Sequence, residues 1–189
     1  MTILKAPTDK LADEVVKLRL PSASAGDIAT IDRYIADEQL DGGWLPDVPL
    51  ITGEQLVTDW LDTWNGQPSR DDPSFTFVVT VHEDAQFVGV VGVAEGYDGA
   101  FDLTYGTAPS WRGRGLASRA TRLAADWVSK QPSVRTVETL IDQGQRACER
   151  VAVNAGFVLA DTMTRTDLSS GNSVQLRYIM QQGPIPESS

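Results

Sequence analysis

The sequence predicts one α+β domain, and three observations predict it. Between residues 74 and 108, short β-patterned runs are separated by turn signals, the mark of antiparallel hairpins. Beyond residue 115 the pattern changes to helix, strand, helix, strand. The 189 residues show no internal repeat, low-complexity tract or linker that would divide them. Hairpins followed by alternating helices and strands, in a chain of this length, build one core.

Residues 1–14, with Pro7 and mixed charges, read as a loosely held lead-in to a domain spanning residues 15–180. Val15 to Leu20 alternates as a strand, and Ala25 to Glu38 reads as a helix with Ile28, Ile31 and Ile35 on one face. Leu40 to Leu50 is a Gly/Pro loop carrying Trp44, which could stack on an acceptor or pack as a satellite of the core. Thr52 is placed to cap a helix running through Trp64, with Leu56, Trp60 and Leu61 inward. Gly66 to Pro73 is a polar loop. Ser74–His82 and Gln86–Ala94 read as strands about a turn at Glu83–Ala85, and Gly96–Gly99 signals a hairpin into Ala100–Ala108. After a helix from Leu116 to Val128, Val134–Ile141 is a strand, Gln145–Ala155 a short helix and Phe157–Leu168 a strand. Ser169–Asn172 turns into a last strand, Ser173–Met180, and residues 181–189 are a tail with two prolines.

Tyr105 to Val128 is the most informative stretch. Leu116, Ala120, Leu123, Ala124, Trp127 and Val128 form one apolar stripe at helical spacing. Arg112, Gly113, Arg114 and Gly115 come immediately before it. A glycine-rich loop opening a helix offers free N–H groups at the positive end of the helix dipole, which suits a phosphate or pyrophosphate. Arg112, Arg114, Arg119 and Arg122 add positive charge around the same spot. A P-loop would end in Gly-Lys-Ser/Thr, which does not occur. A dinucleotide fingerprint would run G-x-G-x-x-G/A straight off a strand, whereas here Ser118 follows and Pro109 breaks the strand first. What remains is Arg112-x-x-Gly115-x-Ala117 behind a strand ending in Ala108-Pro109.

That pattern resembles the pyrophosphate-binding motif of the Gcn5-related N-acetyltransferases (GNAT), which holds coenzyme A. Three more segments resemble the ribosomal-protein acetyltransferase branch of that superfamily, in the right order. Leu18-Arg-Leu-Pro-Ser22 with Ala25-Gly-Asp27 is similar to its opening, and Asp102-Leu-Thr-Tyr105 to its E-L-G-Y strand. Gln145-Arg-Ala-Cys148-Glu-Arg-Val151 through Gly156-Phe157 is similar to N-x-x-S-x-x-V-x-x-x-x-G-F. Gln145, Cys148, Thr104 and Asp102 stand where that branch has Asn, Ser, Gly and Glu. The resemblance implies a GNAT-type, mostly antiparallel twisted sheet flanked by helices, with acetyl-CoA as donor. It also implies a pantetheine arm lying against the backbone of Thr107 and Ala108, with Arg112, Gly113, Arg114, Gly115, Leu116, Ala117 and Gln145 around the rest of the donor.

Acyl transfer from a thioester to an amine needs a bound donor, a deprotonated amine and a stabilised leaving thiolate. Direct attack needs no protein nucleophile. By the resemblance, Asp102 stands beside the acceptor channel as general base, one methylene shorter than Glu and therefore working through a water. Burial is expected to raise its pKa into the useful range; the plainer reading is a hairpin-end carboxylate. Cys148 holds the position whose hydroxyl, in that branch, protonates the departing thiolate. Its place in the first turn of a short helix is expected to lower the thiol pKa, and its plainer reading is packing. Tyr105 is an alternative acid, and His82 reads as solvated and structural.

Composition narrows the classes. Hydrophobic residues at 41% and charged residues at 22% are ordinary for a soluble domain. No apolar run reaches bilayer length and the N-terminus lacks a signal-peptide core, while one cysteine fits a reducing cytoplasm. One His and one Cys leave no structural zinc site and no Ser/His/Asp hydrolase, and no G-x-S-x-G elbow occurs. The net charge of −10 is lopsided: residues 1–99 hold 6 Lys/Arg against 18 Asp/Glu, residues 100–189 hold 10 against 8. That favours a polyanionic donor on the second half and a cationic amine on the first, the plainer reading being acidic residues that only solubilise the surface, and it disfavours nucleic acid.

The reading is therefore a cytoplasmic, metal-free, acetyl-CoA-dependent N-acetyltransferase, monomeric or homodimeric. Its acceptor is a primary amine of a protein N-terminus or a small molecule. A GNAT fold using an aminoacyl-tRNA or another acyl-CoA, or a non-catalytic CoA-binding module, are the alternatives.

Overall fold

The strands, in chain order, are β1 (Leu11–Ala12), β2 (Val16–Arg19), β3 (Phe77–Val81), β4 (Phe87–Glu95), β5 (Ala100–Thr107), β6 (Thr136–Asp142), β7 (Phe157–Asp167) and β8 (Gly171–Met180). They form one sheet in the order β1-β2-β3-β4-β5-β6-β8-β7, antiparallel throughout except where β5 meets β6. The helices are α1 (Ala25–Leu40), α2 (Gly53–Trp64), α3 (Leu116–Val128) and α4 (Arg146–Ala155). The computed structural model describes residues 4–40, 51–68, 74–81, 85–167 and 171–180. Trp44 and His82 lie outside those residues, as do the tail at 181–189 and parts of the loops at 40–50 and 66–73.

Strand periodicity sorts the side chains onto two faces. Phe101 and Leu103 of β5, Val91 and Val93 of β4, and Val137 and Ile141 of β6 pack with the apolar stripe of α3 and with Ala152 and Ala155 of α4. Val90, of opposite parity, packs with Ile31 and Ile35 of α1 and Val57 of α2 in a second cluster. The expected cap at Thr52 is present as a full capping box: the Gln55 N–H donates to Thr52 Oγ1 (3.2 Å) and the Thr52 N–H to Gln55 Oε1 (3.0 Å).

The first residues are held more firmly than their composition suggests. Leu4 is buried in the main core, β1 pairs with β2, and Asp13 ion-pairs with Arg119 of α3 at 2.9 Å. Two residues are too few to show a strand's alternation, so the pairing left no pattern to read.

The contact between β5 and β6 is parallel and short. The two strands pair only from Ala100↔Thr136 to Asp102↔Glu138. Both run on, β5 to Thr107 and β6 to Asp142, without another pair among the described residues. The sheet therefore parts from Asp102 onward.

Candidate active site

A cleft of about 550 Å³ lies between the end of β5, the loop at residues 112–115, and the first turns of α3 and α4. Pro109 ends β5 by withholding a ladder N–H, and a short 3₁₀ turn at Pro109–Trp111 leads into the loop. Gly113 and Gly115 take φ of 77° and 74°, left-handed values that glycine adopts without penalty. An added Cβ at either would meet nothing within 4 Å, so conformation, not space, demands glycine there. Gly115 is the N-cap of α3 and no side chain caps the helix. Leu116, Ala117 and Ser118 line the cleft, and first-turn amides have no partner within a helix.

The arginines divide. Arg114 lies over the Trp111 ring at 4.7 Å from its centroid and donates to the Ser110 carbonyl at 3.2 Å, keeping its charge at the cleft. Arg150 of α4 lines the same cleft. Arg112 is engaged inward instead. It pairs with Glu38 of α1, a carboxylate only 1% exposed, at 2.5 Å, and donates from Nε to the Thr107 carbonyl at 3.1 Å. It ties α1 to the end of β5 while still bordering the cleft. Arg119 and Arg122 turn away, to Asp13 and to Asp126 respectively, and neither lines the cleft.

Thr107 lines the cleft but Ala108 does not. The Ala108 N–H donates to Val88 at 2.9 Å, its carbonyl accepts from Trp111 at 2.8 Å, and its side chain joins the cluster of α1 and α2. Alternation along the strand sends consecutive residues to opposite faces.

Tyr105 and Cys148, expected as rival acids, come together. The Tyr105 hydroxyl donates to the Cys148 carbonyl at 2.9 Å, and both residues line the cleft. Burial pushes the Tyr105 phenol well above its ordinary range. Cys148, half-buried in the first turn of α4, reverses its expected shift. Burial pushes the thiol up, Arg112 pulls it down, and Asp142 and Glu149 push it up again, for a net rise. Desolvation of a thiolate, joined by two nearby carboxylates, outweighs the attraction of Arg112. Gln145 is the N-cap of α4, makes no side-chain cap bond and lines the cleft.

Asp102 occupies the other face of β5, at the last paired position before the strands part. Its Oδ1 accepts from the Leu140 N–H at 3.2 Å. Burial pushes the carboxyl up to about 6; the Leu140 bond opposes the rise and Glu138 adds to it. Glu138, 9% exposed, is ion-paired to Arg177 Nε at 2.6 Å, and Arg177 also bonds Asp161 at 3.1 Å.

Sequence reasoning did not find Glu38, Trp111, Arg150, Glu138 or Arg177. Glu38 alone had a usable signal. It continues the spacing of Ile28, Ile31 and Ile35, and a carboxylate in an apolar stripe calls for a buried cation. The others depend on contacts far apart in the chain.

A family model described as an acetyltransferase (GNAT) domain matches residues 16–158. Among solved structures, a candidate ribosomal-protein-serine acetyltransferase from Vibrio cholerae superposes with a TM-score of 0.73 at 15% identity, covering 92% of this chain and 98% of that one. The microcin C7 self-immunity acetyltransferase MccE, solved with acetyl-CoA and AMP, gives 0.70 at 14% identity, covering 89% and 93%. The ribosomal-protein-S5-alanine acetyltransferase from Vibrio fischeri gives 0.68 at 17%, covering 90% and 96%. No curated protein sequence matches.

Proposed function

The chain belongs to the GNAT acetyltransferase family, and from that premise we propose that it moves an acetyl group from acetyl-CoA to a primary amine of a protein N-terminus or a small molecule, by direct attack. One observation carries this reading. A single cleft joins an uncapped helix start to the Cys148 thiol, and a partly buried carboxylate, Asp102, sits where the sheet parts.

The residues present fit the donor. First-turn amides of α3, with Arg114 and Arg150, suit a pyrophosphate, and Thr107 lies at the strand end where a pantetheine arm would run. Acetyl-CoA supplies an activated thioester; the protein's own groups manage protons. As the amine nitrogen bonds to the acetyl carbon, Asp102 takes the amine proton through a water. As the C–S bond breaks, the Cys148 thiol gives its proton to the sulfur that leaves, and is reprotonated from solvent. A thiol whose pKa burial raises, where a lowered one was expected, stays protonated at neutral pH as a proton donor must. Tyr105 is the second candidate donor, although its hydroxyl must first leave the Cys148 carbonyl. The neighbour solved with acetyl-CoA supports acetyl as the transferred group.

The test is a melting scan with acetyl-CoA, then thiol release with peptides bearing free N-termini and with polyamines. A raised Tm and an acetylated amine by mass spectrometry are expected. Stabilisation by CoA and acetyl-CoA alike, with no transfer to either amine class, would make the protein a binding module.

A further inference from the structure

Four charged side chains stand in a row across the strands: Asp102 on β5, Glu138 on β6, Arg177 on β8 and Asp161 on β7. Asp102 and Glu138 are partners at the last parallel pair. Arg177 bonds Glu138 at 2.6 Å and Asp161, its own partner across β8 and β7, at 3.1 Å. The row begins at the point where β5 and β6 part.

Glu138 is unusual there. It is almost fully buried at a position where Leu or Val would pack, beside another carboxylate. A buried carboxylate is tolerated only when paired, and Arg177 supplies the pair. The titratable groups facing Asp102 are few. Glu138 faces it from β6 and Tyr105 neighbours it on its own strand. Opposite on β4 stands Ala94, with Glu95 next in the chain. Arg177 and Asp161 act on Asp102 through Glu138.

We propose that the Glu138–Arg177 ion pair tunes the proton affinity that burial gives Asp102, with Glu138 strengthening its hold on a proton and Arg177 limiting that effect. Glu138 and Arg177 are positioning residues in this scheme and touch no reacting atom. Ionising Asp102 places a second negative charge one strand spacing, about 4.8 Å of backbone, from Glu138. Arg177 offsets part of that repulsion. The consequence for catalysis rests on Asp102 being the base of the proposed reaction; the setting of its proton affinity does not.

The experiment follows carboxyl ¹³C shifts against pH in the full chain labelled at Asp Cγ and Glu Cδ, with Asp102→Asn to assign the signal and melting scans to check folding. Glu138→Gln removes a buried charge and keeps the shape. It is expected to lower the Asp102 midpoint by about half to one pH unit, a three- to tenfold loss of proton affinity. Arg177→Gln is expected to raise the upper of the two carboxylate midpoints by a similar amount, and Arg177→Lys to stay near wild type. A purely structural role would not give shifts of opposite sign. An Asp102 midpoint unmoved in Glu138→Gln, or shifts of one sign in both variants, overturns the proposal. If Arg177→Gln does not fold, Glu138→Gln and Arg177→Lys decide alone: a lowered midpoint in the first with an unchanged one in the second supports it, and any other pair of results overturns it. Shifts as expected in a protein whose turnover ignores Asp102 would uphold the ion pair's role and sink the assignment of the base.

Discussion

The two faces of the central sheet are built from different materials. On the face covered by α3 and α4, the cleft is organised around main chain: two left-handed glycines, an uncapped helix start and a strand end, with Arg114, Arg150, Tyr105 and Cys148 bordering them. On the other face, Asp102 belongs to a row of side-chain charges running through Glu138 and Arg177. A site made of amides depends on backbone conformation and tolerates exchange of most side chains around it. A site made of buried carboxylates depends on which charges stand next to one another. Damage to the first should therefore appear in donor affinity, and damage to the second in rate and pH response.

The sharpest break between the two is Asp102→Asn. Turnover is expected to fall about 10²–10⁴-fold, the range general base catalysis contributes. The stabilisation given by acetyl-CoA should stay as in the wild type, because Asp102 does not line the donor cleft. Thiol release at saturating acetyl-CoA measures the first, a melting scan the second. A joint loss of both would show the faces to be one site, not two.

The complementary break is Gly115→Val. A β-branched residue at φ 74° is a strong backbone outlier, and left-handed geometry costs an ordinary residue roughly 1–2 kcal/mol. Acetyl-CoA affinity should fall about 10- to 100-fold as the loop relaxes away from that geometry. Gly115→Asn should lose much less, since Asn visits the left-handed region readily. Titration calorimetry with acetyl-CoA gives both values. Equal losses in the Val and Asn variants would mean that the side chain's bulk, and not the backbone, is at fault.

The same contrast explains what was legible in the sequence. Backbone-built features leave local marks, so Gly113, Gly115, Pro109 and the stripe of α3 announce the loop, and Thr52 with Gln55 announces a cap. The strand order and the parting at Asp102 follow from long-range pairing, which no local pattern records. Arg112 lines the cleft, but its tie to Glu38, 74 residues earlier, left no mark in the loop motif. Helix position alone gave the wrong direction at Cys148, where burial, Asp142 and Glu149 together push the thiol up. Both features depend on groups that packing brings in.

The smallest effect tests the charge side in the absence of any ligand. The folded Asp102 carboxyl holds its proton up to about pH 6, against an ordinary value of 3.8. A carboxyl whose folded value is raised binds the proton more tightly when folded than when unfolded, so stability falls as pH rises between those two values. Below about pH 4 both states carry the proton and nothing is lost; above about pH 6 the loss is complete. Asp102→Asn cannot ionise, yet its side-chain oxygen can still accept from the Leu140 N–H. It should therefore match the wild type near pH 4 and become more stable than it between pH 4 and 6. The advantage at pH 7 should be about 1–2 kcal/mol, less than the full shift would give because the group is partly solvated. Urea unfolding of both proteins at pH 4 and pH 7 measures it. An advantage that is the same at both values would mean that Asp102 is not held neutral by its surroundings, and its place at the parting of the strands would then owe nothing to burial.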